Sequence, residues 1–146
     1  MYKPNYWFTI SAEEWDYLLQ NRTKGHKIVY IMSKSFLAIY ADGINADDLP
    51  TYYSSLQQAM KDLDDGLVIF LPTTGRIDDE GFSGGNSLGT YHSSTYSSYA
   101  PPCMVFDIDN INNTIHVDEV NAGTKSAVRL AHFTTEDESD YYFSIG

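Results

Sequence analysis

Five consecutive apolar residues, from Leu67 to Leu71, stand near the middle of the chain and are followed at once by Pro72. An uninterrupted apolar run of this length is typical of a strand that is covered on both faces. Proline ends such a run because it cannot donate a ladder hydrogen bond. We therefore predict a buried central strand here. The residues before and after it must supply the layers that cover its two faces.

Two helices are predicted ahead of this strand. Ser11 and Glu14 have the spacing of a capping box, in which each side chain bonds the backbone amide of the other residue. The first helix is expected to begin there and to end near Asn21. A second helix is predicted from about 54 to 64, because apolar residues recur at helical spacing and Gly66 supplies a stop.

Alternation of apolar and polar residues predicts further strands, joined by turns rich in Ser, Asn and Gly. The predicted strands are 27–32, 36–40, 104–108, 114–120, 126–131 and 141–145, with turns at 33–35, 110–113 and 121–123. At 146 residues the chain has the size of one domain, which we assign to residues 1–146. The expected class is α+β, with two helices flanking a twisted, mainly antiparallel sheet. The expected core residues are Trp15, Leu18, Leu63, Val68, Phe70, Phe106, Val117 and Val128.

Between Thr73 and Ala100 the composition changes to Gly, Ser, Thr, Tyr and Asp. We predict a long irregular loop region for this stretch. Long loops inside compact domains are uncommon and usually functional. Its backbone polar groups need partners, so the loop is expected to fold against the sheet.

The composition excludes some classes of protein. With nine basic residues and a net charge of -11, the chain lacks the positive surface of a nucleic-acid binder. Its 12 tyrosines suit a recognition surface, and they equally suit a β-rich fold. No stretch approaches the length that spans a membrane, so we expect no membrane insertion. The N-terminal residues contain no apolar segment of the kind found in a signal peptide.

No pattern of residues predicts catalysis or a transition-metal site. Cys103 is the single cysteine, and the four histidines show no metal-ligand spacing. No nucleophile is framed by a motif that would pair it with a base. We therefore predict no enzyme activity, no catalytic residue and no metal ligand. Calcium is the one cofactor left open, at either of two oxygen-rich sets: Asp107, Asp109 and Asn110, or Asp118, Glu119 and Asn121.

Short motifs distributed over most of the chain occur in a fixed order. They are residues 14–18 (Glu-Trp-Asp-Tyr-Leu), 21–23 (Asn-Arg-Thr), 42–43 (Asp-Gly), 70–76 (Phe-Leu-Pro-Thr-Thr-Gly-Arg), 91–95 (Tyr-His-Ser-Ser-Thr) and 128–129 (Val-Arg). Together they resemble the Fibrobacter succinogenes major paralogous domain, a bacterial and phage branch of the C-type-lectin-like fold. The similarity runs from about Phe8 to Leu130. His92 stands where that family has Trp, and Ala41 stands where it has Pro.

The resemblance implies a C-type-lectin-like fold that displays ligand-contacting residues and does no chemistry. Relatives of the family include phage tropism determinants and retroelement variable proteins. The ligand-facing positions carried over to this chain are Tyr96, Ser98, Tyr99, Asp107, Asp109, Asn110, His116 and Asp118.

Two functions follow from the resemblance as alternatives. One is a ligand-binding or adhesion module for a glycan or protein partner, placed outside the cell or on its surface if the chain is bacterial. The other is a phage virion component, such as a fibre or decoration protein that contacts other virion proteins. Assembly into a homo-oligomer is left open under both.

The candidate ligand-binding residues are expected to form one surface. Alternate residues of a strand share a face, so Asp107 and Asp109 should point the same way, as should His116 and Asp118. We predict that this face and the loop from 81 to 100 form a continuous, tyrosine-rich exposed surface, with Tyr96 and Tyr99 as its apolar anchors.

Overall fold

The structure is a computed structural model that describes residues 7–20, 22, 24–108, 115–120, 123–133 and 143–145. It is α+β, with two α-helices and mostly antiparallel sheets. The helices are α1 (Ala12–Gln20) and α2 (Leu56–Asp64), with a short 3-10 helix at Ala46–Asp48. The strands are β1 (Phe8–Thr9), β2 (His26–Ile31), β3 (Lys34–Tyr40), β4 (Tyr52–Tyr53), β5 (Val68–Pro72), β6 (Arg76–Asp78), β7 (Gly81–Ser83), β8 (Leu88–His92), β9 (Pro102–Asp107), β10 (Ile115–Glu119), β11 (Leu130–Phe133) and β12 (Phe143–Ile145).

The first helix begins where its capping residues predict, and the second lies within the predicted range of about 54 to 64. Glu14 donates its amide to Ser11 Oγ over 3.1 Å, and the Ser11 amide donates to Glu14 Oε2 over 2.6 Å. The predicted capping box is therefore confirmed. The helix α2 begins after Ser55, whose hydroxyl accepts from the amide of Gln58. Neither helix, in the part of the chain that the structure describes, has the length and apolar character needed to cross a membrane.

The strands of the described residues are divided among four small sheets, whereas one sheet was predicted. The largest has the order β4-β2-β3-β5, and all its pairings are antiparallel except the parallel pair of β2 with β4. A second sheet has the order β10-β9-β8 and is antiparallel throughout. The remaining sheets are β1-β11-β12 and the hairpin of β6 with β7.

In β5, Val68 and Leu71 are buried and Ile69 and Phe70 are half-buried, so the predicted burial is only partly confirmed. The strand lies at the end of its sheet, whereas a central position was predicted. Its side chains alternate between two hydrophobic clusters. Ile69 and Leu71 pack in the cluster that contains Trp15, and Val68 and Phe70 pack in the cluster that contains Ala59 of α2. Both faces of β5 are therefore covered, and this double cover explains the continuous apolar run.

The main core lies between α1, one face of the four-stranded sheet and one face of the β8–β10 sheet. Its buried members are Ile10, Trp15, Leu18, Leu19, Leu37, Ile39, Leu71, Tyr91, Met104, Phe106 and Ala131. The other face of the four-stranded sheet forms a second core with α2 and the 3-10 helix.

Of the predicted core residues, Trp15, Leu18, Val68 and Phe106 are buried. Phe70 and Val117 are half-buried. Leu63 and Val128 are exposed, which contradicts the prediction. In α2 only Ala59 is buried, so Leu63 lies beside the line of contact with the sheet.

Two predicted segments are placed differently by the structure. The stretch 73–100 was predicted to be irregular, yet it contains β6, β7 and β8. These strands are short and, apart from β8, mostly exposed, so their composition resembles that of a loop.

The predicted strand 126–131 begins only at Leu130. Before it, Ala127 joins β8 through a single bridge to Tyr91, and Lys125 joins β6 through a bridge to Ile77. Val128 is exposed.

The predicted turn at 33–35 is also displaced, because the two-residue turn between β2 and β3 is formed by Met32 and Ser33. The predicted turn at 110–113 lies outside the described residues. The turn at 121–123 lies largely outside them as well.

Close packing over β8 makes a stability prediction. A Cβ atom on Gly89 would overlap the ring of Phe106, which is fully buried. We expect Gly89→Ala to lower the free energy of unfolding by about 1–3 kcal/mol, the usual range for overpacking a core. Urea denaturation measures this change.

Gly123→Ala is the matched control for this change. Its new Cβ would meet nothing closer than 3.7 Å, from Asp79 Oδ1, and should change stability by less than about 0.5 kcal/mol. Equal stabilities of the two variants would contradict the packing described for Phe106.

Candidate functional site

The connection between β8 and β9 carries the most exposed large side chains of the described chain. We call residues 93–101 the tyrosine loop. The side chains of Tyr96 and Tyr99 are 87% and 88% exposed, and Ser98 between them is also exposed. The structure thus brings three of the predicted ligand-binding residues together.

The first end of the tyrosine loop is held by the triplet Ser93-Ser94-Thr95. The hydroxyl of Ser93 donates to the carbonyl of Pro102 over 2.6 Å. The amide of Ser94 donates to the carbonyl of Ile10 over 2.9 Å. Thr95 Oγ1 accepts from the amide of Ala12 over 2.9 Å, at the first turn of α1. Each residue of the triplet therefore ties the loop to the fold.

The second end of the loop is held in the same way. Ala100 donates its amide to the hydroxyl of Ser97 over 3.1 Å, which closes a turn inside the loop. The carbonyl of Pro101 accepts from the amide of Val120 over 3.1 Å, next to the end of β10. Between these ties the two tyrosine rings extend into solvent.

Of the two predicted acidic positions that the structure describes, Asp107 and Asp118, Asp118 lies nearer to the tyrosine loop. It is paired in register with Cys103, at the β9 end that follows the loop. His116 and Asp118 share one face, as predicted, and His116 Nε2 lies 3.6 Å from Asp118 Oδ2. Both side chains are partly exposed.

Asp107 lies at the opposite end of β9 from the tyrosine loop. A strand rises about 3.3 Å per residue, so the five steps from Pro102 to Asp107 span about 17 Å. The structure therefore places Asp107 well away from Tyr99. Asp109 and Asn110, which were predicted to continue this end of the surface, lie outside the described residues.

Carboxylates predominate around the tyrosine loop. Glu13 lies in the helix turn that binds Thr95, and Asp118 and Glu119 lie at the β10 end beside Pro101. Within the described ranges, no three His, Cys, Asp or Glu side chains converge on a point where a metal ion would bind. Each predicted calcium set includes residues outside those ranges, so both remain predictions.

Cys103, the single cysteine, and His92 beside it make contacts within the fold. Cys103 Sγ lies 3.7 Å from His92 Nδ1, and His92 Nε2 accepts from the amide of Ser126 over 3.3 Å. Because Nε2 is an acceptor, the ring proton of the neutral imidazole is on Nδ1 and points to the sulfur. Burial raises the pKa of the Cys103 thiol, which disfavours the reactive thiolate.

The sequence motifs contact one another in the structure. Trp15 Nε1 donates to the carbonyl of His92 over 3.3 Å, and the Tyr91 hydroxyl donates to the carbonyl of Pro72 over 2.8 Å. Burial raises the pKa of Tyr91 to about 12, so this hydroxyl remains a donor at all ordinary pH values. Arg22 forms an ion pair of 2.8 Å with Asp42, from the Asp-Gly motif. Residues of different motifs therefore contact one another, and Trp15 and Tyr91 do so next to the start of the loop.

A second group of exposed aromatic side chains was not predicted. The rings of Tyr30 and Tyr52 stack on the four-stranded sheet, and Tyr52 is 75% exposed. One feature of the sequence could have drawn attention to this site. The two-residue hairpin turn holds Met32 and Ser33, whereas Asn-Gly is the usual pair in such a turn.

Comparison with protein-family models, with curated proteins and with solved structures gave no match. The resemblance to the Fibrobacter succinogenes major paralogous domain therefore stays a prediction that rests on the motifs.

The role of the Ser-Ser-Thr triplet gives a prediction. Thr95→Val keeps the shape of the side chain but removes the acceptor for the Ala12 amide. We expect the free energy of unfolding to fall by about 0.5–1 kcal/mol, the usual contribution of one such hydrogen bond. Amide exchange at Ala12 should accelerate.

Ser94→Ala is the matched control, because Ser94 binds Ile10 through its backbone amide. It should leave both the stability and the exchange rate at Ala12 unchanged. If Thr95→Val and Ser94→Ala behave alike, the side chain of Thr95 does not anchor the loop.

Proposed function

We propose that this chain is a non-enzymatic binding module that recognises a macromolecular partner through the tyrosine loop. The observation that carries the proposal is the exposure of Tyr96 and Tyr99, at 87% and 88%, on a loop tied down at both ends. Large apolar rings left in water forgo the stabilisation of burial. Two exposed rings on one short, anchored loop would suit aromatic anchors that a partner covers.

The architecture of the loop favours recognition. Tyrosine offers large contact area for the loss of few rotatable bonds. Anchoring at Ser93, Thr95 and Pro101 fixes the backbone before binding. Less conformational entropy is then lost when the partner binds, which increases affinity.

The shape of the loop favours a protein as the partner. Small molecules bind in concave pockets, whereas Tyr96 and Tyr99 extend outward. Protruding aromatic side chains that fill pockets of a partner are the usual hot spots of protein interfaces. The surrounding carboxylates and the net charge of -11 favour a partner surface that is neutral or basic. A glycan is the other partner class that the motifs imply.

Three further features support a binding role without catalysis. The Cys103 thiol is fully buried. His92 accepts a hydrogen bond from the Ser126 amide, and the Ser93 hydroxyl donates one to a backbone carbonyl. We further propose that the α+β fold is C-type-lectin-like. The contacts among the motif residues are consistent with this assignment and do not depend on it.

Removal of the two rings tests the proposed function. The double variant Tyr96→Ala with Tyr99→Ala should lose binding at least about tenfold, because aromatic anchors dominate interface energies. Its melting temperature should stay at the wild-type value, since both rings are exposed. Binding is measured on protein and glycan arrays and then by titration with each partner found.

Tyr17→Ala supplies the control, because Tyr17 is an exposed tyrosine on α1 outside the loop. Asp118→Asn tests the carboxylate beside the loop and should weaken binding of a basic partner at low salt only. Full binding by the double variant would contradict the proposed function, and so would a binding loss as large in Tyr17→Ala. If the partners found are virion proteins, loss of their binding in the double variant would assign the loop to virion assembly.

A further inference from the structure

The rings of Tyr30 and Tyr52 form a flat aromatic platform at the edge of the four-stranded sheet. Their centroids are 5.3 Å apart and their planes differ by 13°, so they stack nearly parallel. Tyr30 covers one face of the Tyr52 ring, and Tyr52 is still 75% exposed. The uncovered face of Tyr52 is therefore open to a ligand.

Backbone pairing fixes this platform in place. Tyr30 and Tyr52 are in-register partners of the parallel pair β2 and β4. The amide of Tyr30 donates to the carbonyl of Thr51 over 2.8 Å, and the amide of Met32 donates to the carbonyl of Tyr53 over 3.0 Å. The Tyr53 hydroxyl donates to Asp62 of α2 over 2.7 Å, which ties the strand to the helix.

The neighbouring hairpin turn carries backbone strain. Met32 and Ser33 have φ values of 50° and 71°, in the left-handed region that favours glycine and asparagine. Strain of this kind is concentrated at functional sites. Met32 is 63% exposed, so burial in the core does not explain why this position holds a large apolar side chain.

The platform and the turn border one open cleft of about 550 Å³. Its lining residues are Tyr30, Met32, Ser33, Tyr52, Tyr53 and Ser54, and none of them is charged. The lining therefore offers a ligand no charged group. The lining combines aromatic faces and a thioether with the hydroxyl groups of serine and tyrosine.

We propose that this cleft binds a neutral pyranose ring of a glycan. One face of a pyranose presents C–H groups, which pack against the electron-rich face of an aromatic ring such as Tyr52. The rim of the sugar presents hydroxyl groups, which suit the hydroxyl of Ser33 as a hydrogen-bond partner. The Ser54 hydroxyl donates to Gln58 Oε1 over 3.0 Å, so it would serve the sugar as an acceptor. Charged sugars gain nothing from a cleft without charged lining residues. The volume accommodates a short oligosaccharide.

This site is independent of the tyrosine loop. The cleft is formed by β2, β4 and their flanking residues, whereas the loop is anchored to α1, β9 and Val120. A variant can therefore remove one site and leave the other intact. The two proposals can fail separately.

The first test is a titration with three neutral trisaccharides, built of glucose, galactose or N-acetylglucosamine units, followed by two-dimensional amide NMR. Stacking on a flat ring tolerates differences in sugar stereochemistry, so at least one trisaccharide should shift the amides of Met32, Ser33 and Tyr52. Affinities in the millimolar range are expected for one exposed platform. Tyr52→Ala should weaken this binding about tenfold or more.

Three variants serve as controls. Tyr52→Phe keeps the ring and should bind within about twofold of wild type. Leu56→Ala removes another exposed apolar side chain, on α2 across the sheet, and should bind as wild type. The double variant Tyr96→Ala with Tyr99→Ala should also keep the full sugar affinity. Absence of shifts with all three sugars overturns the proposal, and so does undiminished binding by Tyr52→Ala.

The strained turn gives a second test. Replacing Met32→Asn together with Ser33→Gly relieves the left-handed strain and should raise the melting temperature by about 3 °C. The same variant should weaken sugar binding several-fold, because it removes two lining side chains. Such opposite changes are expected only if the turn is retained for binding. A sugar affinity equal to wild type would remove the turn from the site and overturn the proposal as stated.

Discussion

The indole of Trp15 is fully buried beneath α1, and its Nε1–H donates to the carbonyl of His92 over 3.3 Å. Tyr91 packs beside the indole with ring centroids 6.3 Å apart, and its hydroxyl reaches the carbonyl of Pro72 at the end of β5. Three segments that are distant in sequence are therefore linked through the pair of Trp15 and Tyr91. Truncating a buried Trp costs about 3–5 kcal/mol, a large part of the 5–15 kcal/mol that stabilises a typical domain.

The geometry of the tyrosine loop depends on this packing. The loop begins directly after His92, and its next bonds go to Ile10 and to Ala12, on either side of the capping residue of α1. A shift of α1 would move these partners and release the backbone of the loop. The exposed rings of Tyr96 and Tyr99 lie between two tied ends, because backbone groups of Ser94, Ala100 and Pro101 have hydrogen-bond partners.

Local signals predicted the helices well, because a capping box and a stop residue act over a few residues. Position within a sheet was harder to predict. The apolar run of β5 indicates that both faces of the strand are covered. It does not indicate where the strand lies in the sheet, because an edge strand with a hydrophobic cluster on each face has the same apolar run. The strands β6 and β7 were missed because short, exposed strands have the composition of loops.

The candidate sites, too, could be predicted only where a local sequence signal marks them. Tyr96 and Tyr99 were found because the motif before them fixes where the loop begins. The separation of Asp107 from the loop follows from the length of β9 and from its register with β8, neither of which the motif contains. The stacking of Tyr30 on Tyr52 arises from a parallel pairing of strands 22 residues apart. No local pattern could have predicted that contact.

The two aromatic surfaces differ in how much of each ring they offer, and this difference determines what each can bind. At the tyrosine loop, Tyr96 and Tyr99 are nearly as exposed as free side chains, so a partner must surround them to gain the free energy of burial. At the cleft, Tyr30 already covers one face of Tyr52, and only a flat ligand can use the face that remains. The net charge of -11 acts on both surfaces at long range and disfavours anionic partners. The shapes of the two surfaces then differ in what they suit: the protruding rings of the loop suit a partner with pockets, and the flat face in the cleft suits a flat ligand.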